Sequence, residues 1–184
     1  GDNMDLALAY TVTRKLAEQG TRLDPWQTRA LAHACRGAKE ALLSDSDLDS
    51  VPVVVPSRGS KLIGGSIRTE VRREELVATL VEGFFPRVAV TEQPITRARA
   101  ALTQLGLPYA QDAAVTRHLA AFLTRQLGAT ANLEGFAAQP EGSVFLHPTA
   151  VLFNGGVLKS GLIAGRVLDT LNDWLAADGA APAR

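Results

Sequence analysis

A double glycine near the end of the 184-residue chain is the pattern with the most chemical meaning. Gly155-Gly156 follows the short apolar run Phe145–Phe153 and precedes apolar residues at three- and four-residue spacing from Leu158 to Leu175. The run predicts a buried strand, and the spacing predicts an amphipathic helix. A strand, a glycine turn and a helix together bring backbone N–H groups and a positive helix end up to a phosphate or nucleotide.

The same residues have a plainer interpretation. Asn154-Gly155 is a hairpin signal, although no period-two pattern follows it. A Gly-Gly turn also joins strands to helices in many α/β proteins, so the motif leaves both a nucleotide site and a purely structural turn open.

Other chemistry has little support. The three histidines, His33, His118 and His147, are not at metal-ligand spacing, and no Gly-x-Ser-x-Gly or Walker-type loop is present, so we predict neither a metal site nor a catalytic residue. Cys35, the single cysteine, excludes an intramolecular disulfide and indicates a reducing, cytoplasmic setting. Its place on an apolar helix face favours a small buried hydrophobe.

Charge and hydropathy exclude two classes of partner. Lys plus Arg and Asp plus Glu both number 19, so no basic excess points to nucleic acid or to a membrane surface. No apolar run approaches membrane-spanning length.

The elements that would hold the glycine turn follow from periodicity. We predict helices over Asp2–Gln19 and from Asp24, as N-cap, with Pro25 at the first position. A hairpin follows, with strands Val51–Val55 and Lys61–Val71, a turn at Arg58-Gly59-Ser60 and Pro52 at a sheet edge. A helix then runs to Phe85 and is stopped by Pro86.

The division of the chain is predicted in four parts. Residues 1–85 form a small α/β subdomain, 86–143 an irregular and helical insertion, 144–176 the core strand–Gly-Gly–helix unit, and 177–184 a frayed tail. Within the insertion, a helix is plausible over Thr96–Leu105. Asp112 is predicted to cap another helix, which carries Val115, Leu119, Phe122, Leu123 and Gln126 on one side.

The helix that begins at Asp24 carries a charged face. Arg36, Lys39 and Glu40 fall away from its main apolar stripe, and spacing alone favours a solvated face.

Several stretches, taken in order, resemble the nucleotide-binding domain of the DnaK family of seventy-kilodalton heat-shock chaperones. Gly1–Asp5 is similar to the family's Gly-Gly-Glu/Asp-Asn/Phe-Asp stretch, and Ala34–Leu42 to Ala-Cys-Glu-x-Ala-Lys-Arg-x-Leu. Glu74-Glu75-Leu76 is similar to the helix start Arg-x-x-Phe-Glu-x-Leu, and Val151–Lys159 to Val-Leu-Val-Gly-Gly-Ser-Thr-Arg. The match leaves out about Pro86–Ser143 and suggests a divergent bacterial branch.

The resemblance implies an α/β fold, lobe II of an actin-like ATPase, with helices and a β-hairpin subdomain on part of a core sheet. The opening residues then indicate a cut inside a longer chain. The implied function is that of a fragment of a DnaK-like molecular chaperone that binds the adenosine part of ATP or ADP.

The resemblance also assigns site residues. Lys39 would contact the ribose or adenine side, and Gly155 and Gly156 would let the backbone approach the nucleotide. Lys159 replaces an arginine that stacks on adenine, and thereby loses the planar surface. Arg36 replaces a glutamate that bonds the ribose, and Glu40 replaces an arginine beside the base. This swap either preserves a pair four residues apart on one helix or marks weakened nucleotide binding.

The family's first phosphate loop, Mg-positioning aspartates and catalytic lysine would lie upstream of Gly1. ATP or ADP with Mg would therefore be the cofactor of the full-length protein, and lobe I of the same chain a partner, with a co-chaperone or client also possible. Phosphoryl transfer needs phosphates and Mg held from both lobes, so we expect no ATP hydrolysis by this piece alone.

Two rival functions stay open. In one, the nucleotide site is degenerate and the fold acts as a protein-interaction module, with an Arg36–Glu40 salt bridge in the adenine slot. In the other, the chain is a lobe of a sugar- or acetate-type kinase on the same superfold, which the Ala-Cys-x-x-Ala-Lys helix argues against.

Overall fold

A computed structural model describes residues 1–56, 65–95, 112–131, 133–134 and 139–184. Their contacts group them into two compact units, Gly1–Glu82 and the described residues from Gly83 to Arg184. The described residues mix helices with a two-stranded antiparallel sheet, which confirms the α/β prediction in its general form. Among these residues no helix is both long and apolar enough to cross a membrane.

Two long helices open the first unit, and their starts follow local sequence chemistry. Helix α1 spans Asp2–Glu18 and helix α2 spans Pro25–Ser44. The Asp24 carboxylate accepts the Gln27 N–H at 2.8 Å, while the Gln27 side chain accepts the Asp24 N–H at 3.0 Å. This reciprocal capping satisfies two backbone donors at once, and Pro25 needs none. The predicted start of α2 is confirmed.

The predicted hairpin is present, with a shorter second strand. Strand β1 (Ser50–Val55) pairs antiparallel with β2 (Ile67–Arg72), and β1 packs against α2. The second strand begins at Ile67 instead of Lys61; residues 61–64 and the predicted turn at Arg58-Gly59-Ser60 lie outside the described residues.

Each edge of the hairpin carries one feature that hinders further pairing. Pro52 faces Glu70 in the register. The Arg73 N–H donates to the Asp49 oxygen, so by alternation the backbone of residue 52 faces outward, where a proline costs no ladder bond. On the β2 edge, Lys15 Nζ donates to the Glu70 oxygen at 2.9 Å. The predicted edge position of Pro52 is confirmed.

A helical stretch completes the first unit and continues into the second. It comprises α3 (Arg73–Leu76), a π-helical segment (Val77–Val81) and α4 (Glu82–Phe84). The predicted helix is confirmed, but periodicity gave no sign of the π-helical segment. There Thr79 shares a hydroxyl hydrogen bond of 3.1 Å with Thr11 of α1.

The second unit is built on helices α5 (Val115–Arg125) and α6 (Gly161–Ala177). Its core is a cluster of buried side chains: Ala120, Leu123, Phe145, Leu171, Trp174, Leu175 and Ala183. The edge of the Trp174 ring meets Phe145 at a centroid distance of 6.4 Å, and Trp174 Nε1 donates to the Val88 oxygen at 2.6 Å. The insertion helix predicted over Thr96–Leu105 lies outside the described residues.

One detail predicted for α5 is wrong, and another is confirmed in part. Asp112 does not cap the helix; it lies two residues before the N-cap Ala114 and accepts that residue's N–H at 2.9 Å. On the predicted side, Leu123 is buried and Leu119 packs against the core cluster, whereas Val115 and Phe122 are exposed. The Thr116 hydroxyl is buried and donates to the Pro86 oxygen at 2.7 Å.

The buried strand predicted over Phe145–Phe153, and with it the core sheet, is wrong for the described part of the chain. The segment bends at Phe145 and Thr149 and belongs to no sheet. Its N–H groups instead bond to a helix end, Leu146 to the Leu123 oxygen at 3.0 Å, and to the chain's last residue, Val151 to the Arg184 oxygen at 2.8 Å. A strand needs a neighbouring ladder, and Leu152 is 95% exposed here.

The predicted frayed tail is also wrong. The Asn172 side chain accepts the Ala183 N–H at 2.8 Å and donates to the Ala183 oxygen at 3.4 Å. Ala183 is buried against the core cluster. These bonds hold the end of the chain against α6.

Candidate nucleotide-binding residues

The residues predicted to contact a nucleotide fall in both units. Arg36 and Lys39 belong to α2 in the first unit. Gly155, Gly156 and Lys159 belong to the turn before α6 in the second.

In the first unit, Asp5 of α1 holds both predicted cations. Lys39 Nζ lies 2.5 Å from Asp5 Oδ1, and Arg36 Nε lies 2.8 Å from Asp5 Oδ2. The second Arg36 nitrogen reaches Asp2 at 2.6 Å. Each Asp5 oxygen therefore accepts one charge-assisted bond, and two carboxylates balance two cations.

The expectation of a solvated charged face is wrong for Lys39. The Lys39 and Asp5 side chains are only 7% and 5% exposed, whereas Arg36 is half exposed. Helix α1 packs on α2, so the two core faces enclose the pair. Of the predicted first-unit residues, Arg36 is the one that solvent reaches.

Asp5 was missed by sequence reasoning, although a signal was present. It lies three residues before Leu8 on the buried face of α1, and Lys39 lies four residues after Cys35 on the buried face of α2. Opposite charges on two apolar helix faces indicate a buried pair, because a buried charge needs a partner.

The Arg36–Glu40 bridge considered above is not formed. Within the described part of the chain, the carboxylates within salt-bridge distance of Arg36 are those of Asp2 and Asp5. Arg36 therefore pairs across to α1 and leaves Glu40 exposed on α2.

Burial and hydrogen bonding act on the pKa of Asp5 in opposite directions. Burial alone would raise it, but the hydrogen bonds from Lys39 and Arg36 outweigh burial and hold the pKa below its usual value. Asp5 is therefore the ionised partner of the pair at neutral pH.

Acid is expected to weaken the first unit through Asp5. Since the folded pKa of Asp5 is lowered, its contribution to stability is complete above the ordinary value of 3.8 and is lost as the pH falls through the folded pKa. Urea unfolding of wild type and Asp5→Asn between pH 7 and pH 3 tests this. The wild type should lose more stability than Asp5→Asn over the acid limb; equal losses would contradict it.

Cys35 behaves as the sequence predicts. It is fully buried, and burial, with a smaller contribution from the Asp5 charge, raises the pKa of its thiol to about 12. A thiol that stays protonated is a packing group and not a nucleophile.

In the second unit, the Gly-Gly turn is open. Gly155 has φ +95°, a conformation that favours glycine, while Gly156 is right-handed helical with φ −61°. A Cβ at either position would meet nothing within 4 Å. Lys159 ends the 3₁₀ turn Val157–Lys159 and is exposed. The backbone of both glycines is thus accessible to an approaching group.

The start of α6 has unused donors. Ser160 is its N-cap, but the hydroxyl makes no capping bond and, alone among buried side-chain nitrogens and oxygens of the described residues, has no partner. The hydroxyl is enclosed, so it offers no contact to a ligand in this arrangement. The N–H groups of Gly161 and Leu162, on exposed residues, have no protein partner among those described.

His147 has a structural role. Its Nε2 lies 2.8 Å from Asp178 Oδ2, and its ring lies against Phe145 at a centroid distance of 4.7 Å. No group of three metal-ligating side chains occurs among the described residues.

An open groove in the first unit contains none of the predicted site residues. It is lined by Asp49, Ser50, Glu70, Arg72, Arg73, Glu74, Val77, Ala78 and Glu82. The Arg72 guanidinium already pairs with Glu70 at 2.7 Å and with Glu74 at 3.8 Å. The groove therefore gives no independent support to a nucleotide site.

Comparisons with known proteins add no relative. Neither the protein-family models, nor the curated proteins, nor the solved structures include a match to this chain.

Proposed function

We propose that this chain is a DnaK-like nucleotide-binding piece, lobe II of an actin-like ATPase, and that it binds the adenosine part of ATP or ADP. The observation that carries the proposal is the open Gly155-Gly156 turn, which one 3₁₀ turn separates from the 17-residue helix α6. An accessible glycine backbone beside a helix N-terminus with unused N–H groups suits a nucleotide. The order of motifs along the sequence supports the same assignment.

Within the second unit, the groups available to a nucleotide are the glycine backbone and the exposed Lys159 ammonium. Within the first unit, the half-exposed Arg36 guanidinium is the group that can donate to a hydroxyl, because Lys39 is enclosed with Asp5. Phosphate and Mg contacts belong to the upstream lobe that the resemblance implies, so the chain binds nucleotide without hydrolysing it.

Calorimetry with ADP and with ATP plus Mg on the 184-residue protein tests the proposal. Gly156→Asp should weaken binding at least about tenfold, because it places a carboxylate where the nucleotide approaches, a change worth roughly 1.4 kcal/mol or more. Gly156 suits this test because its φ is ordinary and the space around it is empty.

Gly128→Asp is the matched control. Gly128 is exposed in the same unit and has empty space around it. Its substitution by Asp adds the same charge outside the Gly155-Gly156 turn. It should leave binding unchanged. Equal losses in both variants would contradict a nucleotide contact at Gly156.

A degenerate site that serves as a protein-interaction module is the second candidate. The observation that favours it is that Asp2 and Asp5 already satisfy both cations of α2. Absence of nucleotide binding by the folded protein would support this candidate over the first.

A further inference from the structure

One parallel β-ladder repeat is already formed in the second unit. The Arg184 N–H donates to the Thr149 oxygen at 3.2 Å, and the Val151 N–H donates to the Arg184 oxygen at 2.8 Å. In a parallel ladder, one residue bonds to the two residues that flank the residue opposite it. Arg184 bonds in this way to Thr149 and Val151, which flank Ala150. Helix α6 connects the two segments, which gives the arrangement of a βαβ crossover.

Among the described residues, none pairs with the other edge of Thr149–Phe153. Val151 packs on the core cluster, whereas Leu152 faces away from it and is 95% exposed. By strand alternation, the backbone groups of Ala150 and Leu152 point away from Arg184. The N–H groups of these two residues have no partner in the described part of the chain.

We propose that this edge binds an extended, uncharged strand of a partner polypeptide. The strand would pair with the backbone of Ala150 and Leu152 and cover Leu152 with an aliphatic side chain. Strands in parallel sheets are normally covered on both faces, and an open strand edge is a template for pairing. In strand addition, main-chain bonds supply affinity and side-chain contacts supply selectivity.

The chemistry of the edge selects the partner. The stretch Thr149–Gly156 contains no charged residue, so a charged strand would gain no ion pair on it. The hairpin of the first unit gives a contrast within the same chain, since Pro52 interrupts one of its edges and Lys15 bonds to the other. The segment Thr149–Phe153 therefore offers a freer edge for pairing with another strand than the β1–β2 hairpin does.

Amide hydrogen exchange followed by NMR tests the proposal on the 184-residue protein. The probe is an acetylated and amidated heptapeptide, Ser-Val-Thr-Val-Thr-Val-Ser, which carries no charge and whose terminal serines serve solubility. With the peptide at about ten times its Kd, exchange of the Ala150 and Leu152 amides should slow about tenfold.

Two protein variants and one control peptide separate backbone pairing from other effects. Leu152→Pro removes one edge donor at an exposed position and should abolish protection of Ala150. Leu152→Ala keeps the donor and should weaken binding severalfold. A peptide with proline in place of both threonines should protect neither amide.

Three results would overturn the proposal. They are unchanged exchange of Ala150 and Leu152 with peptide, protection that appears in β1 or β2 instead, and protection that grows with protein concentration without peptide. The last would mean that a second copy of the chain covers the edge.

Discussion

Asp5→Ala is expected to lower the free energy of unfolding by about 3–5 kcal/mol, because it leaves a buried ammonium without its carboxylate. Lys39 is 7% exposed, and its Nζ lies 2.5 Å from Asp5. The same variant removes a bond of 2.8 Å to Arg36, but that guanidinium keeps Asp2 and access to water. Most of the loss should therefore arise at Lys39. Urea unfolding, with amide exchange in α1 and α2 to locate the effect, measures it.

Arg14→Ala is the matched control for a broken ion pair. Arg14 and Glu18 lie on α1, 3.8 Å apart, with side chains 67% and 70% exposed. An exposed pair contributes little, so this variant should change stability by no more than about 0.5 kcal/mol.

A double variant distinguishes the cost of an unpaired charge from the value of the pair. Asp5→Leu with Lys39→Met replaces both charges by apolar groups of similar size and should recover most of the loss. If Asp5→Ala alone cost less than about 1 kcal/mol, Lys39 would have to reach water or lose its proton, and the enclosed pair would be contradicted.

The Asp5–Lys39 pair also separates the two candidate functions. Lys39 can contact a nucleotide only if its ammonium also stays bonded to Asp5 or if it breaks that ion pair. Breaking the pair would leave the buried Asp5 carboxylate without its lysine partner. Arg36 pays no such penalty, since it is half exposed and bonded to two carboxylates. A nucleotide-binding first unit would therefore act mainly through Arg36, whereas an interaction module would keep the cluster intact.

Sequence reasoning succeeded where the determining chemistry is local. Asp24, Pro25 and Gln27 stand within four positions of one another and specify the start of α2 by capping alone. Pro52 likewise has one acceptable place in a sheet, with its missing donor facing outward.

It failed where the partner is distant in sequence. Lys39 is buried because α1 lies on α2, and Asp5 is 34 positions away. Residues Phe145–Phe153 have the composition of a strand, but pairing is a property of two segments, and among the described residues only Arg184 supplies part of a ladder. Periodicity on α5 placed Val115, Phe122 and Leu123 on one side, but only Leu123 of these three is buried.

Phe145→Ala is expected to lower the free energy of unfolding of the second unit by about 3–5 kcal/mol, through lost burial and a cavity. Phe145 is fully buried. Its ring lies 4.7 Å from that of His147 and 6.4 Å from that of Trp174, and Leu171 and Leu175 belong to the same cluster. A rigid aromatic contact of this kind leaves a space that neighbours fill only in part. Faster amide exchange along α6, with α1 unchanged, should accompany the loss.

Phe122→Ala provides the same chemical change on the surface. Phe122 is 50% exposed on α5, so its truncation should cost no more than about 1 kcal/mol. If the two variants lost equal stability, Phe145 would not anchor its segment to α6.

If they differ as expected, a milder change at the anchor, Phe145→Leu, becomes informative. It should loosen the extended segment that leads to Gly155 without unfolding the unit, and so weaken any ligand held by the glycine turn while the Asp5 cluster of the first unit stays unchanged.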